Sequence, residues 1–455
     1  MAIVGRRNPD TYFGRMTLLK KLFWVYFLLL IFEGALRKWA VPALSAPLLI
    51  VRDPVSLLII WEAFRTNKWP SRWSAVISLV TVLLVGLFVV QIIGGDSLIV
   101  GLYGLRSYLL PIPVLFIIGE NLDYEDLRKL CVCTLWLLLP MSLLEVAQYL
   151  APSGGWLNKG ATEGGGQIGF VVGHVRASGT FSFSIGAEFF VSMAAAFILY
   201  GMVSTGFANK WLLWATVFAV ILSVPTLGSR AVLVQLAAML ACVAIGATMG
   251  LSQFGKVLRV ILPLAIFSFL AAQLPVFSDA MQSLTERVAG ANNNEGGGVE
   301  EALVFRTVGP IVDAIEGAVS SNNWLGRGMG SDAGVFYALG NSEWSDNEID
   351  REMMELGPIA GIGSFLIKSF LAITLLSQAL ARARNQQGLA LFMLPPALSL
   401  LFFGTPEQPT TQGFMVVTTA FCIAAASAPA PVAAEMPQLV LLRQQMLQRR
   451  RLQRS

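Results

Sequence analysis

Residues 73–93 read WSAVISLVTVLLVGLFVVQII, a run of twenty-one residues without one charged side chain. As a helix such a run rises roughly 30 Å, the thickness of a bilayer's hydrocarbon core. A soluble domain rarely needs so long an uncharged element. Similar stretches recur along the chain, at about 20–38, 43–62, 105–119, 127–150, 184–204, 210–228, 230–250, 256–275, 357–380, 388–404 and 411–429. With 73–93 these make about twelve spans. The expected fold is an all-α integral membrane protein of about twelve transmembrane helices, with two long outer loops containing short helices.

Composition agrees: of 455 residues, 55% are hydrophobic and only 13% charged. That balance belongs to membrane proteins and excludes a nucleic-acid-binding or disordered chain. Cys131, Cys133, Cys242 and Cys422 all fall inside apolar spans and show neither disulfide nor zinc spacing. No small-residue cleavage site follows the first apolar stretch, so it reads as an anchored helix and not a removed signal peptide.

Charge gives the orientation. The arm 1–19 and the start of the first span carry Arg6, Arg7, Arg15, Lys20 and Lys21, and the tail 430–455 carries Arg443, Arg449, Arg450, Arg451 and Arg454. The short loops on the same side bring the total there to twenty of 32 basic residues. Positive charge marks the cytoplasmic side, so both termini are expected inside. The polytopic domain is then 20–429, with loops 151–185 and 276–356 outside. Loop 276–356 holds fourteen of the 28 acidic residues and four basic ones. The tail is either a basic amphipathic helix on anionic membrane lipid or a disordered basic anchor.

Arginines placed against that rule are the candidate site. Arg176 (GHVRASGTF), Arg230 (PTLGSRAVLVQL), Arg306 (FRTVGPIVDAIEGAV) and Arg327 (LGRGMGSDAG) lie in or beside the outer loops. A guanidinium offers a planar fork of donors suited to phosphate. Arg230 is expected at a helix start near Ser229, where free N–H groups add positive potential. The bland alternative is that each arginine snorkels to the interface or pairs with a loop carboxylate. His174 is the only histidine in the chain, so a multi-histidine zinc site is excluded.

NSEWSDNEIDREMMELGPIAGI, leading into the tenth span, sets Glu348, Glu352 and Glu355 at helical spacing beside Arg351. One of these carboxylates, or Asp346, can serve as general base to a hydroxyl. Equally, they balance the arginines or favour the helix start. Charges inside spans, at Glu33, Arg52, Asp53, Glu145, Glu188 and Lys368, are expected to pair with neighbouring helices, because an isolated charge is costly in lipid. The loop 151–185, dense in glycine (GGWLNKGATEGGGQIGFVVGHVRASGTF), is expected to be a mobile surface loop. No GxxxxGK[ST] occurs, and RKWAVP lacks a paired acidic motif for a metal. No cofactor is called for.

Taken in order, EGALRKWAVPALSAPLLIVRDPVSLLI, LYGLRSYLLPIPVLFII, RASGTFSFSIGAEFF, LGSRAVLVQL, FRTVGPIVDAIEG with NNWLGRGMGS, and EIDREMMELGPIAGI resemble the bacterial O-antigen polymerase/O-antigen ligase superfamily, most of all its exopolysaccharide-polymerase branch. The resemblance implies a metal-independent membrane glycosyltransferase of the GT-C type in the bacterial inner membrane. It implies an undecaprenyl-diphosphate-linked glycan as substrate, at the periplasmic face, with a chain-length regulator and a flippase as partners. It maps diphosphate-gripping arginines to Arg176 and Arg230, with Arg306 possible. Arg327, His174 and Glu355 are added as substrate-binding candidates, and Glu348 and Glu352 as catalytic ones. Ligases of the superfamily carry a His in the second long loop, where this chain reads Asp346-Asn347-Glu348. That argues for polymerisation over ligation, while transport of lipid-linked sugars stays as a reading from another class.

Overall fold

The computed structural model describes residues 16–161, 170–171, 174–204, 206–248, 299–321, 323–331, 348–384 and 387–427. The arm 1–15, the expected span at 256–275, Asp346 and the tail lie outside the described residues.

Within them the chain is helical: α1 Leu18–Ala35, α2 Arg52–Arg65, α3 Ser74–Ile93, α4 Leu98–Leu109, α5 Pro111–Asn121, α6 Tyr124–Leu150, α7 Ser184–Val203, α8 Lys210–Leu227, α9 Arg230–Thr248, α10 Val299–Ser321, α11 Glu348–Arg384, α12 Leu389–Phe403 and α13 Pro409–Ser427. The one extended pairing among the described residues joins β1 Phe170–Val171 to β2 His174–Val175, antiparallel. Among the described residues eight helical stretches are long and apolar enough to cross a membrane, three of them (Pro42–Arg65, Ser71–Ile93 and Leu98–Asn121) built from consecutive pieces. The chain is thus an all-α, multi-pass membrane protein.

Two helices make the centre. α7 and α13 are buried along nearly their whole lengths, and both are rich in small residues, SMAAA at 192–196 and AFCIAAAS at 420–427. Small side chains let helix backbones approach, the main route to tight packing in lipid. At Gly119 of α5 a Cβ would come within 2.7 Å of Ile423 on α13. Outward faces are apolar instead, with Val82 69% and Ile373 68% exposed, as suits contact with lipid tails.

The helix ends segregate into two layers. At one, the short-turn end, Lys20 of α1 meets Asp123 before α6, and Arg382 of α11 donates to Ala426 O of α13. At the other, the loop end, Arg37 after α1, Gln148 of α6, Glu188 of α7 and the start of α13 come together with the first long loop.

The described C-terminal part of that loop, 175–183, is packed between helices and is not a surface segment, while the Gly164-Gly165-Gly166 run lies outside the described residues. Val175, Ala177, Ser178, Phe181 and Ser182 are buried. Gln148 holds the segment: its Oε1 accepts from Ser178 N at 3.0 Å and Gly179 N at 2.8 Å, and its Nε2 donates to Gly179 O at 3.1 Å. Thr180 Oγ1 donates to Ile31 O at 2.6 Å. Glycine here permits close passage, since a Cβ on Gly34 would strike the backbone of 180–182. Composition cannot separate a glycine that frees a loop from one that lets it sink between helices.

α10 begins at Val299, so Arg306 lies within the helix and not at its start. The acidic segment and the span expected at 357–380 form one run, Glu348–Arg384, broken at Gly357 (φ 74°, ψ 165°). That φ is open to glycine and costly for other residues. The break turns the chain so that Glu352 and Lys368, sixteen residues apart, are in contact.

Candidate functional site

The first part of the site is the corner between α8 and α9. α8 ends on Gly228 in the left-handed region, and α9 starts two residues later at Arg230. Ser229 Oγ, buried, donates to Glu188 Oε2 at 2.5 Å. The other oxygen of Glu188 contacts Arg176 Nη2, whose Nε donates to Leu227 O at 3.1 Å. One carboxylate on α7 therefore ties Arg176 to the corner that carries Arg230. The residues come from three separate stretches of sequence. Two of Arg176's three nitrogens are engaged, so an anion arriving there meets a guanidinium already paired with Glu188.

Residues 37–45 form the second part. Arg37 is buried; its Nε donates to Ser45 O at 2.9 Å and its Nη1 to Ser182 Oγ at 2.9 Å, with Glu33 3.7 Å away. Lys38 is fully buried and donates to Gly179 O at 2.7 Å and Ser178 Oγ at 2.9 Å. Beside them Glu145 is fully buried and, among the described residues, has no cationic partner.

The third part is the acidic face of α11. Glu348, Arg351, Glu352 and Glu355 share one side of the helix, and all are buried. Tyr108 of α4 donates to Glu355 Oε2 at 2.8 Å. Glu352 accepts from Ser364 Oγ at 3.2 Å and pairs with Lys368. Arg351 Nη1 stands 4.0 Å from Glu407, in the link between α12 and α13. Both oxygens of Glu348 lack hydrogen-bond partners. Burial, then the charge of Glu355, holds the Glu407 carboxyl well above the ordinary carboxylate range.

Two adjacent residues on α2 join these parts. Arg52 donates to Glu33 Oε2 at 3.1 Å, contacts Pro409 O, and lies over the Tyr26 ring. Asp53 receives a forked pair of bonds from Arg106 of α4, its Oδ1 accepting at 3.0 Å. Tyr103, one turn earlier on α4, donates to Glu407 O at 3.2 Å. The expected pairing with neighbouring helices appears for Glu33, Arg52 and Asp53, whereas Glu188 pairs with Arg176 of the loop and Lys368 with Glu352 of its own run. Glu145 departs from it.

Arg176, Arg230, Glu348, Glu352 and Glu355 lie at one end of the bundle, in two groups. Arg327 is exposed on a Gly-rich turn, its N–H donating to Met354 O at 2.8 Å. The side chains of His174 and Arg306 lie outside the described residues. Among the described residues no three His, Cys, Asp or Glu side chains are arranged to hold a metal ion. Arg37, Lys38, Arg106, Tyr108 and Glu407 belong to the site and carried no signal alone. Their one trace is position, a charge or Tyr hydroxyl at or near the loop end of an apolar span.

The arrangement presents guanidiniums and a helix start on one side and buried carboxylates on the other. Such a site can hold an anionic group and take a proton from a hydroxyl nearby. No family model matches the chain, and no curated protein matches it.

Proposed function

We propose that this chain is a bacterial inner-membrane glycosyltransferase that polymerises undecaprenyl-diphosphate-linked oligosaccharide units at the periplasmic face without a metal. In this reading the chain has about twelve spans, both termini are cytoplasmic, and the loop end faces the periplasm. The observation that carries it is the corner where Glu188 ties Arg176 to Ser229, the residue before Arg230 at the start of α9. The ordered stretches that resemble the O-antigen polymerase/ligase superfamily supply the substrate class. The corner would take the diphosphate, Arg230 and the free N–H groups of α9 stabilising negative charge as it develops. An acceptor hydroxyl attacks the anomeric carbon, its C–O bond forming as the bond to the diphosphate breaks. The hydroxyl proton passes to a carboxylate of the α11 face, Glu348 or Glu352. Transport is less favoured, since the charges of Glu33, Arg52, Asp53, Arg106, Glu352 and Lys368 close on one another in ion pairs.

Purified protein with undecaprenyl-diphosphate oligosaccharide tests this. The expected result is a ladder of longer lipid-linked products, unaffected by EDTA. Arg230→Lys keeps the charge and loses the fork, and should lower the rate roughly 10²–10³-fold. Absence of a ladder, transfer only to a second acceptor, or arrest by EDTA with recovery on magnesium would each refute the reading as stated.

A further inference from the structure

The Gly-rich turn after α10 closes a second cavity, away from the α8–α9 corner. Gln91, buried near the end of α3, pins the turn. Its Nε2 donates to Leu325 O and to Glu355 O, both at 3.0 Å, and its Oε1 accepts from Met329 N at 3.0 Å. Between the turn and the α3–α4 link lies a cleft of about 380 Å³, lined by Phe88, Asp96, Ser97, Arg327 and Ser331 among others. Ligand clefts run about 300–1,000 Å³, so this one suits a small unit, not a lipid chain.

The lining chooses among ligands. Asp96 and Arg327 are both exposed and both face the cleft. The carboxylate opposes a bare anion, and the guanidinium opposes a bare cation. Asp96 Oδ2 lies against the turn itself, within 2.5 Å of where a Cβ on Gly328 would stand. Two serine hydroxyls give and accept hydrogen bonds, and Phe88 offers an apolar ring. A carboxylate that accepts from hydroxyls, a guanidinium that donates and a ring that packs on C–H groups suit a neutral polyhydroxylated ring.

We infer that this cleft is a saccharide subsite that binds one neutral pyranose of the glycan. Assigning that sugar to the acceptor glycan rests on the transferase reading; the binding itself does not. Gln91 spans the cleft and the backbone of Glu355, so a sugar held here sits beside the acidic face of α11.

The test is saturation-transfer NMR on the full chain in lipid nanodiscs. The probes are methyl glycosides of glucose, galactose, mannose, rhamnose and N-acetylglucosamine. At least one should bind the unaltered chain. Asp96→Asn, at an exposed position that leaves the helices intact, should weaken it about tenfold or more, the loss of one hydrogen bond to a charged group. Phe88→Ala should weaken it as well. Binding of none of the five, equal binding to the Asp96→Asn chain, or displacement of the glycoside by inorganic phosphate would overturn the inference. A chain that binds sugar through Asp96 but makes no ladder keeps the subsite and loses the transferase. A polymerising chain whose Asp96→Asn form binds sugar normally keeps the transferase and loses the subsite.

Discussion

The two ends of the bundle hold charges in opposite ways. At the short-turn end each described pair keeps at least one partner in contact with water, and two are local. Lys129 with Glu125 is an i,i+4 pair at 33% and 68% side-chain exposure, and Arg65 with Glu62 an i,i+3 pair, while Lys20 reaches across to Asp123 and Asp126. At the loop end, pairs are buried and join distant stretches: Arg52 with Glu33 is 3% exposed on both sides. Arg106 with Asp53 and Arg176 with Glu188 likewise join separate stretches, each side chain under 20% exposed. Exposed pairs contribute ~0–1 kcal/mol and are easily exchanged. Buried ones carry a desolvation penalty of several kcal/mol per ion that apolar residues of the same volume avoid. A bundle held by packing alone has no need of them, so the loop end points to function and the short-turn end to orientation and solubility.

The sharpest test of that contrast is Arg52→Leu. The change leaves Glu33 buried without its 3.1 Å partner and Pro409 O without its donor. Removing one member of a buried pair costs about 3–5 kcal/mol. The expected outcome is a loss of that size in unfolding free energy, measured in detergent. A loss below about 1 kcal/mol would mean that the loop end is wetter than its burial indicates.

Much of this architecture was legible in the sequence. Apolar spans near twenty residues admit few solutions in lipid, because every backbone group must be satisfied within the segment. The pairing of Arg52 and Asp53 with different neighbours could be anticipated, since an unpaired charge there is prohibitive. The kink at Gly357 could not be, because ELGP marks a helix boundary equally well as a break inside one run. Glu407 was invisible for a related reason. A lone acid in TPEQP reads as a polar turn, and only the docking of α13 against α4 and α11 buries it. At Gly179 the expectation of a free loop fails, because this glycine, at φ 55°, sits against Met141 and donates its N–H to Gln148.

Acidity offers a second way to sharpen the contrast. Burial first, then Glu355, raises the Glu407 carboxyl. The folded chain keeps a proton that the unfolded chain releases near pH ~4.3. Between that pH and the raised native value the native state binds more protons, so this group's contribution is full below ~4.3 and is lost as pH rises. Glu407→Gln removes the dependence. Melting curves of variant and unaltered chain should coincide near pH 4, with the variant the more stable at pH 8. If the variant is instead the less stable at pH 8, its pairing with Arg351 outweighs desolvation.

The smallest effect is expected at the short-turn end, from Lys129→Gln. Glu125 lies in the first turn of α6, four residues before Lys129, the favourable order for such a pair. Its carboxylate also keeps a favourable interaction with the helix N-terminus after the lysine is gone. The loss should therefore be only about 0.3–0.5 kcal/mol. It should vanish in ~1 M salt, where the screening length falls to about 3 Å. Arg52→Leu should keep most of its cost in the same salt, because no counterion reaches a pair shielded by α1 and α13. A Lys129→Gln loss above about 1.5 kcal/mol, or one insensitive to salt, would make this water-exposed pair behave like the buried ones and dissolve the distinction between the two ends.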